Sequence, residues 1–216
     1  MKKVLMVIVA LAVCMIVFAQ GQQSVSTPVA SSSSGNSFTD SRDGKKYRTV
    51  KIGKLTWMAQ NLNHETADSW CYNDDNSNCE KYGRLYNWNA AIKACPAGWR
   101  LPAREDWNEL VQAAGGDVAG IRLKSKTGWD NNDDGSSGNG ADDFGFSALP
   151  GGFRLYLFQR ANFGNVGINA YWQSATENKD RAPWNRSMYS FIDSVAENIS
   201  SKDAAFSVRC VQGGTK

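Results

Sequence analysis

The chain has 216 residues, of which 42% are hydrophobic and 21% are charged, and its formal net charge at pH 7 is +3. A chain of this length and composition can form one domain with a well-packed core. Basic and acidic residues nearly balance and no long run of lysine or arginine occurs, so the composition argues against a nucleic-acid-binding protein.

Residues 1–19 have the pattern of a secretory signal peptide. Lys2 and Lys3 precede an apolar run from Val4 to Phe18, which is shorter than the roughly 20 residues of a membrane-spanning helix. Removing this segment lowers the formal net charge from +3 to +1, because two lysines and no acidic residue leave with it. We therefore expect a protein that is secreted or held at the outer cell surface, with the periplasm as an alternative. No membrane span is expected once the signal peptide is removed.

Cys14 gives an alternative interpretation, in which the protein is a lipoprotein. Leu11-Ala12-Val13-Cys14 resembles a lipid-attachment box, but Val13 stands where a small residue is expected and the apolar run continues past the cysteine. We favour the cleaved signal peptide. Residues 20–37 are rich in serine and glutamine, and they contain too few apolar side chains to form a core, so they are expected to be a disordered linker.

The domain is predicted at residues 38–213, and it opens with strands. Asp43-Gly44 is a hairpin turn signal, and strands are expected at 46–52 and 55–60. Two helices follow, separated by Pro96, and the second is expected to begin near Pro102. Each helix has apolar residues at helical spacing on one face. These residues are Leu85, Trp88, Ile92 and Cys95 in the first helix, and Trp107, Leu110, Val111 and Ala114 in the second.

The second half of the chain is predicted to contain a long polar loop and then strands. Residues 128–145 are rich in Asn, Asp and Gly, and they are longer than a simple connection needs. Beyond them, short apolar runs are separated by turn residues, which is typical of an antiparallel sheet. The sequence therefore predicts an α+β fold, with two helices packed on antiparallel sheets and a long loop region.

Four cysteines lie outside the signal peptide: Cys71, Cys79, Cys95 and Cys210. An even number in an exported chain predicts two disulfides, although three pairings are open. We favour Cys71–Cys79 as a staple across a short loop, and Cys95–Cys210 as a link between the helical region and the last strand. Four reduced, buried thiols are the alternative. A zinc site is disfavoured, because no CxxC spacing occurs and His64 is the single histidine.

Five segments carry a resemblance to a known family. In chain order they are Asp40–Leu62, Tyr82–Trp107, Phe144–Arg154, Tyr171–Thr176 and Phe206–Val211. The chain resembles the Fibrobacter succinogenes major paralogous domain family, which occurs in secreted and surface proteins of bacteria and whose biochemical role is largely undefined. The resemblance implies a C-type-lectin-like fold, shared with the formylglycine-generating enzymes. The lectin WIGL-type motif is absent, so sugar binding through the usual lectin loop does not carry over.

A calcium site is the best metal-binding hypothesis that the sequence offers. Asp130, Asn132 and Asp134 alternate and are followed by a glycine, as in the first half of a calcium loop. The twelfth position is Ala141, so the usual bidentate acid is missing there, and Asp142 is the nearest substitute. The alternative is a solvated loop whose Asn, Asp and Gly residues are favoured by turn geometry alone.

The sequence predicts binding in preference to catalysis. No catalytic constellation is recognised, and a nucleophile–histidine arrangement would depend on His64. Trp129, Tyr156 and Trp184 lie in loop-like settings where aromatic rings can stack on sugars, although filling the core is the alternative for each. We expect a non-catalytic binding module for an extracellular glycan or a surface protein. The alternatives are a structural or assembly protein of the cell surface and, less favoured, a sulfatase-modifying-like enzyme.

Overall fold

The computed structural model describes residues 37–157 and 160–213. The predicted signal peptide, Cys14 and nearly all of the predicted linker lie outside these residues. The α-helices are α1 (Asn76–Tyr82), α2 (Trp88–Ala94), α3 (Arg104–Ala113) and α4 (Ala119–Leu123), with 3-10 turns at Tyr72–Asp74 and Gly116–Val118. The strands are β1 (Ser37–Thr39), β2 (Lys46–Ile52), β3 (Leu55–Met58), β4 (Ser69–Trp70), β5 (Leu85–Tyr86), β6 (Trp99–Arg100), β7 (Gly151–Leu157), β8 (Arg160–Val166), β9 (Asn169–Glu177), β10 (Pro183–Tyr189), β11 (Ala196–Ile199), β12 (Phe206–Ser207) and β13 (Val211–Gln212).

The strands form two sheets, and the fold is α+β as predicted. The smaller sheet has the order β1-β2-β3-β13-β6. The larger sheet has the order β11-β10-β9-β12-β5-β4, and the β7–β8 hairpin joins it where Gly152 pairs with Ala170. The last described segment connects the sheets, because β12 belongs to the larger one and β13 to the smaller one. None of the helices in the described ranges is long and apolar enough to cross a membrane.

The first predicted helix is shorter than its apolar pattern suggested. Asn87 caps α2, its side chain accepting a hydrogen bond from the Ala90 amide at 2.9 Å, so Leu85 lies before the helix in β5. The prediction that Ile92 is on the buried face is wrong, since its side chain is 40% exposed and Ala91 is buried instead. The short helices α1 and α4 were not predicted.

The second predicted helix is α3. Ala103 at its N-terminus has no side-chain acceptor, but the Asp106 carboxylate accepts a hydrogen bond from the Ala103 amide at 2.7 Å. Trp107 and Leu110 are buried, as predicted. The helix therefore keeps half of a capping box although its N-cap residue is alanine.

The core between the two sheets is aromatic. Trp107 of α3 contacts Trp57 of the smaller sheet and Trp172 of the larger one, with ring centroids 4.8 and 6.1 Å apart. Phe146 contacts Trp57 at 5.8 Å and Trp172 at 6.4 Å, and all four side chains are inaccessible to solvent. These rings hold the two sheets and α3 together through burial of apolar surface.

A buried polar network lies beside these rings. The Arg209 guanidinium donates hydrogen bonds to Asn61 Oδ1 at 3.0 and 3.1 Å and to the carbonyl oxygens of Phe146 and Ser147. Trp172 Nε1 donates to the same Asn61 oxygen at 2.9 Å. Burial lowers the pKa of Arg209 to about 9, because the charged form loses its hydration.

The structure contains the two disulfides that the sequence favoured. Cys71 is bonded to Cys79, across the 3-10 turn that leads into α1. Cys95, directly after α2, is bonded to Cys210, directly before β13. The second bond joins residues 115 positions apart and fixes the end of the helical region to the strand segment that connects the sheets.

Glu197 connects β11 to α3. Its carboxylate accepts hydrogen bonds from Arg104 Nε at 3.0 Å and from the terminal nitrogen of Arg104 at 2.6 Å, and it also forms an ion pair with Arg186 of β10. The hydrogen bond from Arg104 lowers the pKa of Glu197, partial burial opposes this, and the charge of Arg186 lowers it further.

We expect Glu197→Gln to destabilise the protein at neutral pH and to have little effect in acid. A carboxyl group whose pKa is lower in the folded state stabilises the fold above its unfolded value, here 4.5, and this contribution is lost as the pH falls through the folded value. Urea unfolding at about pH 7 and about pH 3 measures the effect, with the exposed Glu80→Gln as the control. If the wild type and Glu197→Gln differ in their free energy of unfolding by the same amount at both pH values, the prediction is wrong.

Candidate functional site

One face of the larger sheet packs into the core, and the opposite face carries mainly polar and aromatic side chains. Along β9 and β10 the alternation of side chains directs Ala170, Trp172 and Met188 into the core. Residues paired directly across antiparallel strands share a face. On the opposite face the pair Pro183–Glu177, which follows a register shift, includes an acid, and the other pairs that involve β9 are uncharged. They are Asn169 with Tyr189, Tyr171 with Ser187, and Gln173 with Asn185, which in turn pairs with Asn198 of β11.

Four aromatic rings in contact run along this outer face, and we call them the aromatic strip: Phe153, Tyr171, Tyr189 and Phe191. Ring centroids of neighbouring members are 5.7, 6.2 and 5.6 Å apart in that order. Phe153, Tyr171 and Tyr189 are partly buried, whereas Phe191 at the end of the strip is 61% exposed. The strip therefore presents apolar ring surface to solvent, most of all at Phe191, whereas the neighbouring Asn169 and Ser187 side chains are buried.

The two tyrosines of the strip are held in place by their neighbours. Phe206 stacks on Tyr171, with centroids 5.0 Å apart, and Asn169 Nδ2 donates to the Tyr171 hydroxyl at 2.9 Å. Ser187 Oγ donates to the Tyr189 hydroxyl at 3.1 Å. Burial raises the pKa of Tyr171 to about 12, so its hydroxyl keeps its proton at neutral pH. The two tyrosine rings are therefore held in defined positions.

Two amide oxygens in the same register have no hydrogen-bond partner among the described residues: Gln173 Oε1 and Asn185 Oδ1. Their amide nitrogens are used, since Gln173 Nε2 donates to the carbonyl oxygens of Tyr86 and Ala204, and Asn185 Nδ2 donates to Ser200 Oγ. A buried acceptor without a partner is destabilising by about 1–3 kcal/mol. Both side chains are buried, so these two oxygens are enclosed by the protein and do not face solvent.

Comparison with known families supports the resemblance seen in the sequence. The sequence profile of the Fibrobacter succinogenes major domain matches residues 50–212. The chain belongs to this family. Searches of curated proteins and of solved structures give no match. The matched range of the Fibrobacter major domain contains both disulfides, the aromatic core and the whole aromatic strip.

The predicted ligand-binding role of Trp129 in this Fibrobacter major domain is not compatible with its position. Trp129 is only 4% exposed and belongs to the main core cluster. Its Nε1 donates to the Ala148 carbonyl oxygen at 3.0 Å, and Lys124 Nζ lies 5.3 Å from the ring centroid. The ring is enclosed by protein, so the core alternative is correct for this residue.

Tyr156 and Trp184 lie outside the aromatic strip, since neither has a ring contact with it within the described part of the domain. Tyr156 is 57% exposed and lies on the side of β7 opposite Phe153. The Arg104 guanidinium covers the Trp184 ring at 4.3 Å. The sequence did not reveal the aromatic strip. The alternation of residues 169–173 predicts a strand, but it does not show which of the two faces lies away from the core.

The structure does not gather the predicted calcium ligands into one shell. Asp134 Oδ1 accepts hydrogen bonds from the amide and hydroxyl of Ser136, and Asn132 Nδ2 donates to the same hydroxyl. Asp142 accepts from the amide and hydroxyl of Ser147, both at 2.6 Å. Asp130 lies against Gly167, whose carbonyl oxygen accepts a hydrogen bond from the Asp130 amide at 2.8 Å. Turn geometry therefore accounts for these positions.

A different acidic group was not anticipated. Within 37–157 and 160–213, one set of three histidine, cysteine or acidic side chains has possible metal-ligating atoms that all lie within 4.8 Å of one another. It consists of Asp40, Asp43 and His64. Arg42 binds the Asp40 carboxylate, with Nε–Oδ1 at 2.9 Å, and this hydrogen bond lowers the pKa of Asp40. Asp43 contacts His64 Nδ1 at 3.0 Å and Lys45 Nζ at 3.4 Å. Cationic partners therefore already neutralise the two carboxylates.

Proposed function

We propose that this domain is a non-catalytic module that binds a neutral extracellular polysaccharide along the aromatic strip. The observation that carries the proposal is the aromatic strip itself, in which four contacting uncharged rings lie on the outer face of the larger sheet and end at the exposed Phe191. Sugar rings offer apolar faces that stack on aromatic side chains.

Charge favours a neutral ligand over an acidic one at this surface. Most paired positions of β9, β10 and β11 on the outer face are uncharged, and the acidic exception, Glu177, already forms an ion pair with Lys202. Arg186 and Glu197 lie on the opposite face, next to α3. The preorganised tyrosines reduce the entropy lost on binding. The exposed Phe191 at the end of the strip is the kind of apolar surface that marks a binding site.

The remaining parts of the hypothesis come from the sequence and agree with this role. A signal peptide, a polar linker and two disulfides are typical of a domain that is exported and acts outside the cell or at its surface. A C-type-lectin-like arrangement of the helices and sheets is part of the proposal. Calcium has no role in the proposed site, because its residues offer uncharged side chains.

Substitution of the strip tests the proposal. We expect the wild-type protein to be retained by at least one of cellulose, xylan and mannan in affinity electrophoresis. Phe191→Ala and Tyr189→Ala should each weaken binding about five- to tenfold, because each removes one stacking ring. Tyr156→Ala is the matched control, since Tyr156 is as exposed as Phe191 but lies outside the strip.

Two results would count against this site. One is the absence of retention on all three neutral polysaccharides, and the other is an equal loss in Tyr156→Ala and Phe191→Ala. Parallel measurements with calcium and with EDTA test the metal hypothesis, and retention that needs calcium would show that the strip alone is not the site. Melting temperatures of all variants separate loss of binding from loss of structure.

A structural or assembly role at the cell surface is the second candidate. Phe191 and Ile168 are both exposed and lie close together, because the intervening Ser190 amide donates to the Ile168 carbonyl oxygen at 2.8 Å. Such an apolar pair also suits contact with another protein. Self-association in analytical ultracentrifugation that Phe191→Ala removes, without retention on any polysaccharide, would favour this role.

A further inference from the structure

A concave, basic cleft lies at a different place in the domain from the aromatic strip. It has a volume of about 610 Å³ and is bounded by β2, residues 59–63, the end of α1 and residues 125–127. No member of the aromatic strip lines it. An inference about this cleft is therefore independent of the polysaccharide proposed for the outer face of the sheet.

The lining of the cleft has an excess of positive charge. Five cationic side chains line it, against two acidic ones, Glu80 and Asp142. The cationic residues are Lys45, Lys46, Arg48, Lys81 and Lys126. Like charges that line a concave surface concentrate the electrostatic potential and attract anions to it.

Most of this charge is not neutralised by the protein. Lys45 pairs with Asp43, but Lys46, Arg48 and Lys126 form no ion pair with any described residue, and their side chains are exposed at the rim. The Asp142 carboxylate is already occupied by two hydrogen bonds from Ser147. An anion entering the cleft would therefore meet three cations without competing carboxylates at hydrogen-bond distance.

The floor of the cleft is polar and is supported by a buried cation. Asn61 lines the cleft, and behind it the Arg209 guanidinium donates to Asn61 Oδ1. No carboxylate in the described ranges forms an ion pair with Arg209. Burial lowers its pKa, the charge of Asp142 opposes this, and the charge of Arg48 lowers it further. Tyr47, Gln60 and Ser125 add hydroxyl and amide groups to the lining. The cleft thus combines positive potential with groups that hydrogen-bond to hydroxyls.

We propose that this cleft binds the acidic groups of an extracellular polysaccharide, either carboxylates of uronic acids or sulfate esters. Four of the five cations are lysines, whose ammonium groups act as point charges and attract carboxylates or sulfates without a fixed planar geometry. The neighbouring amide and hydroxyl groups suit the hydroxyls of a sugar chain. The domain then has two polysaccharide surfaces of different charge preference.

The test uses the full chain with polygalacturonate, dextran sulfate and double-stranded DNA as probes. Wild-type binding to an acidic polysaccharide should weaken at least about tenfold between roughly 0.05 M and 0.5 M NaCl, because exposed cations are screened. The double variant Arg48→Ala/Lys126→Ala should weaken it about tenfold at low salt. The control variant Lys93→Ala/Arg160→Ala removes one exposed lysine and one exposed arginine outside the cleft, and its affinity should stay within about twofold.

The outcomes separate the possible sources of the anion. Tighter binding of polygalacturonate identifies carboxylates, and tighter binding of dextran sulfate identifies sulfates. The proposal is overturned if neither acidic polysaccharide binds at low salt, if both double variants lose affinity equally, or if DNA binds more tightly than both. Retention on neutral polysaccharide should be unchanged in Arg48→Ala/Lys126→Ala, so failure at one surface does not imply failure at the other.

Discussion

Replacing Cys95 and Cys210 together by alanine is expected to lower the free energy of unfolding by about 4–5 kcal/mol. The bond closes a loop between residues 115 positions apart, and the entropy that a crosslink removes from the unfolded chain grows with the logarithm of loop length. Cys210 is also fully buried in the segment that joins the two sheets, so its loss affects both. Denaturant unfolding of the wild type and of the double variant, in oxidising buffer, measures the difference.

The second disulfide is the matched control for this prediction. The Cys71–Cys79 bond closes a separation of 8 residues, and the same relation gives a stabilisation of about 2–3 kcal/mol. The Arg84 guanidinium contacts both of its sulfur atoms, at 3.7 and 3.8 Å. Equal losses for the two double variants, or a larger loss for Cys71→Ala/Cys79→Ala, would show that loop length does not determine the stabilisation here.

Local signals in the sequence were enough to predict several parts of the fold. The Asp43-Gly44 turn signal lies where the chain reverses into β2, and Gly44 adopts a φ of 75° that suits glycine. Pro102 and the apolar spacing predicted α3 nearly to its ends. The parity of the cysteines predicted two disulfides. Each of these features depends on neighbouring residues or on simple counting.

Features that depend on distant contacts could not be predicted in the same way. Leu85 has helical spacing to Trp88, but it forms β5 because Phe206 and Ser207, about 120 positions later, pair with this segment. Likewise, the composition of residues 128–145 indicated a solvated loop. In the structure, the Gly140 amide donates to the Ser125 carbonyl oxygen and a Cβ at Gly140 would lie 2.5 Å from the Ile121 carbonyl oxygen, so the loop packs closely on the domain.

The same limit applies to the candidate site. Alternation predicts that Asn169, Tyr171 and Gln173 share one face of a strand, but it does not show whether that face or the one with Trp172 is buried. The packing of α3 through Trp107 decides this, because it covers the Trp172 side. Aromatic residues chosen from loop-like surroundings therefore included the buried Trp129, while those of the aromatic strip were overlooked.

Trp107→Ala is expected to lower the free energy of unfolding by about 3–5 kcal/mol. The indole is inaccessible to solvent and contacts tryptophans of both sheets, so its removal leaves a cavity at the point where α3 joins them. Chemical denaturation monitored by far-UV circular dichroism measures the loss. A change below about 1 kcal/mol would show that the two sheets are held together without this ring.

Substitution by phenylalanine separates the ring from its polar group. Trp107 Nε1 has no hydrogen-bond partner among the described residues, whereas Trp172 Nε1 donates to Asn61 Oδ1 at 2.9 Å. Both indoles are fully buried, so the change in volume is the same, and Trp172→Phe should cost about 1 kcal/mol more than Trp107→Phe. Equal losses of stability in the two variants would show that the hydrogen bond from Trp172 to Asn61 does not stabilise the fold. Because Trp107 lies in the core and not on the aromatic strip, Trp107→Phe should retain polysaccharide binding at temperatures where it is folded, in contrast to Phe191→Ala.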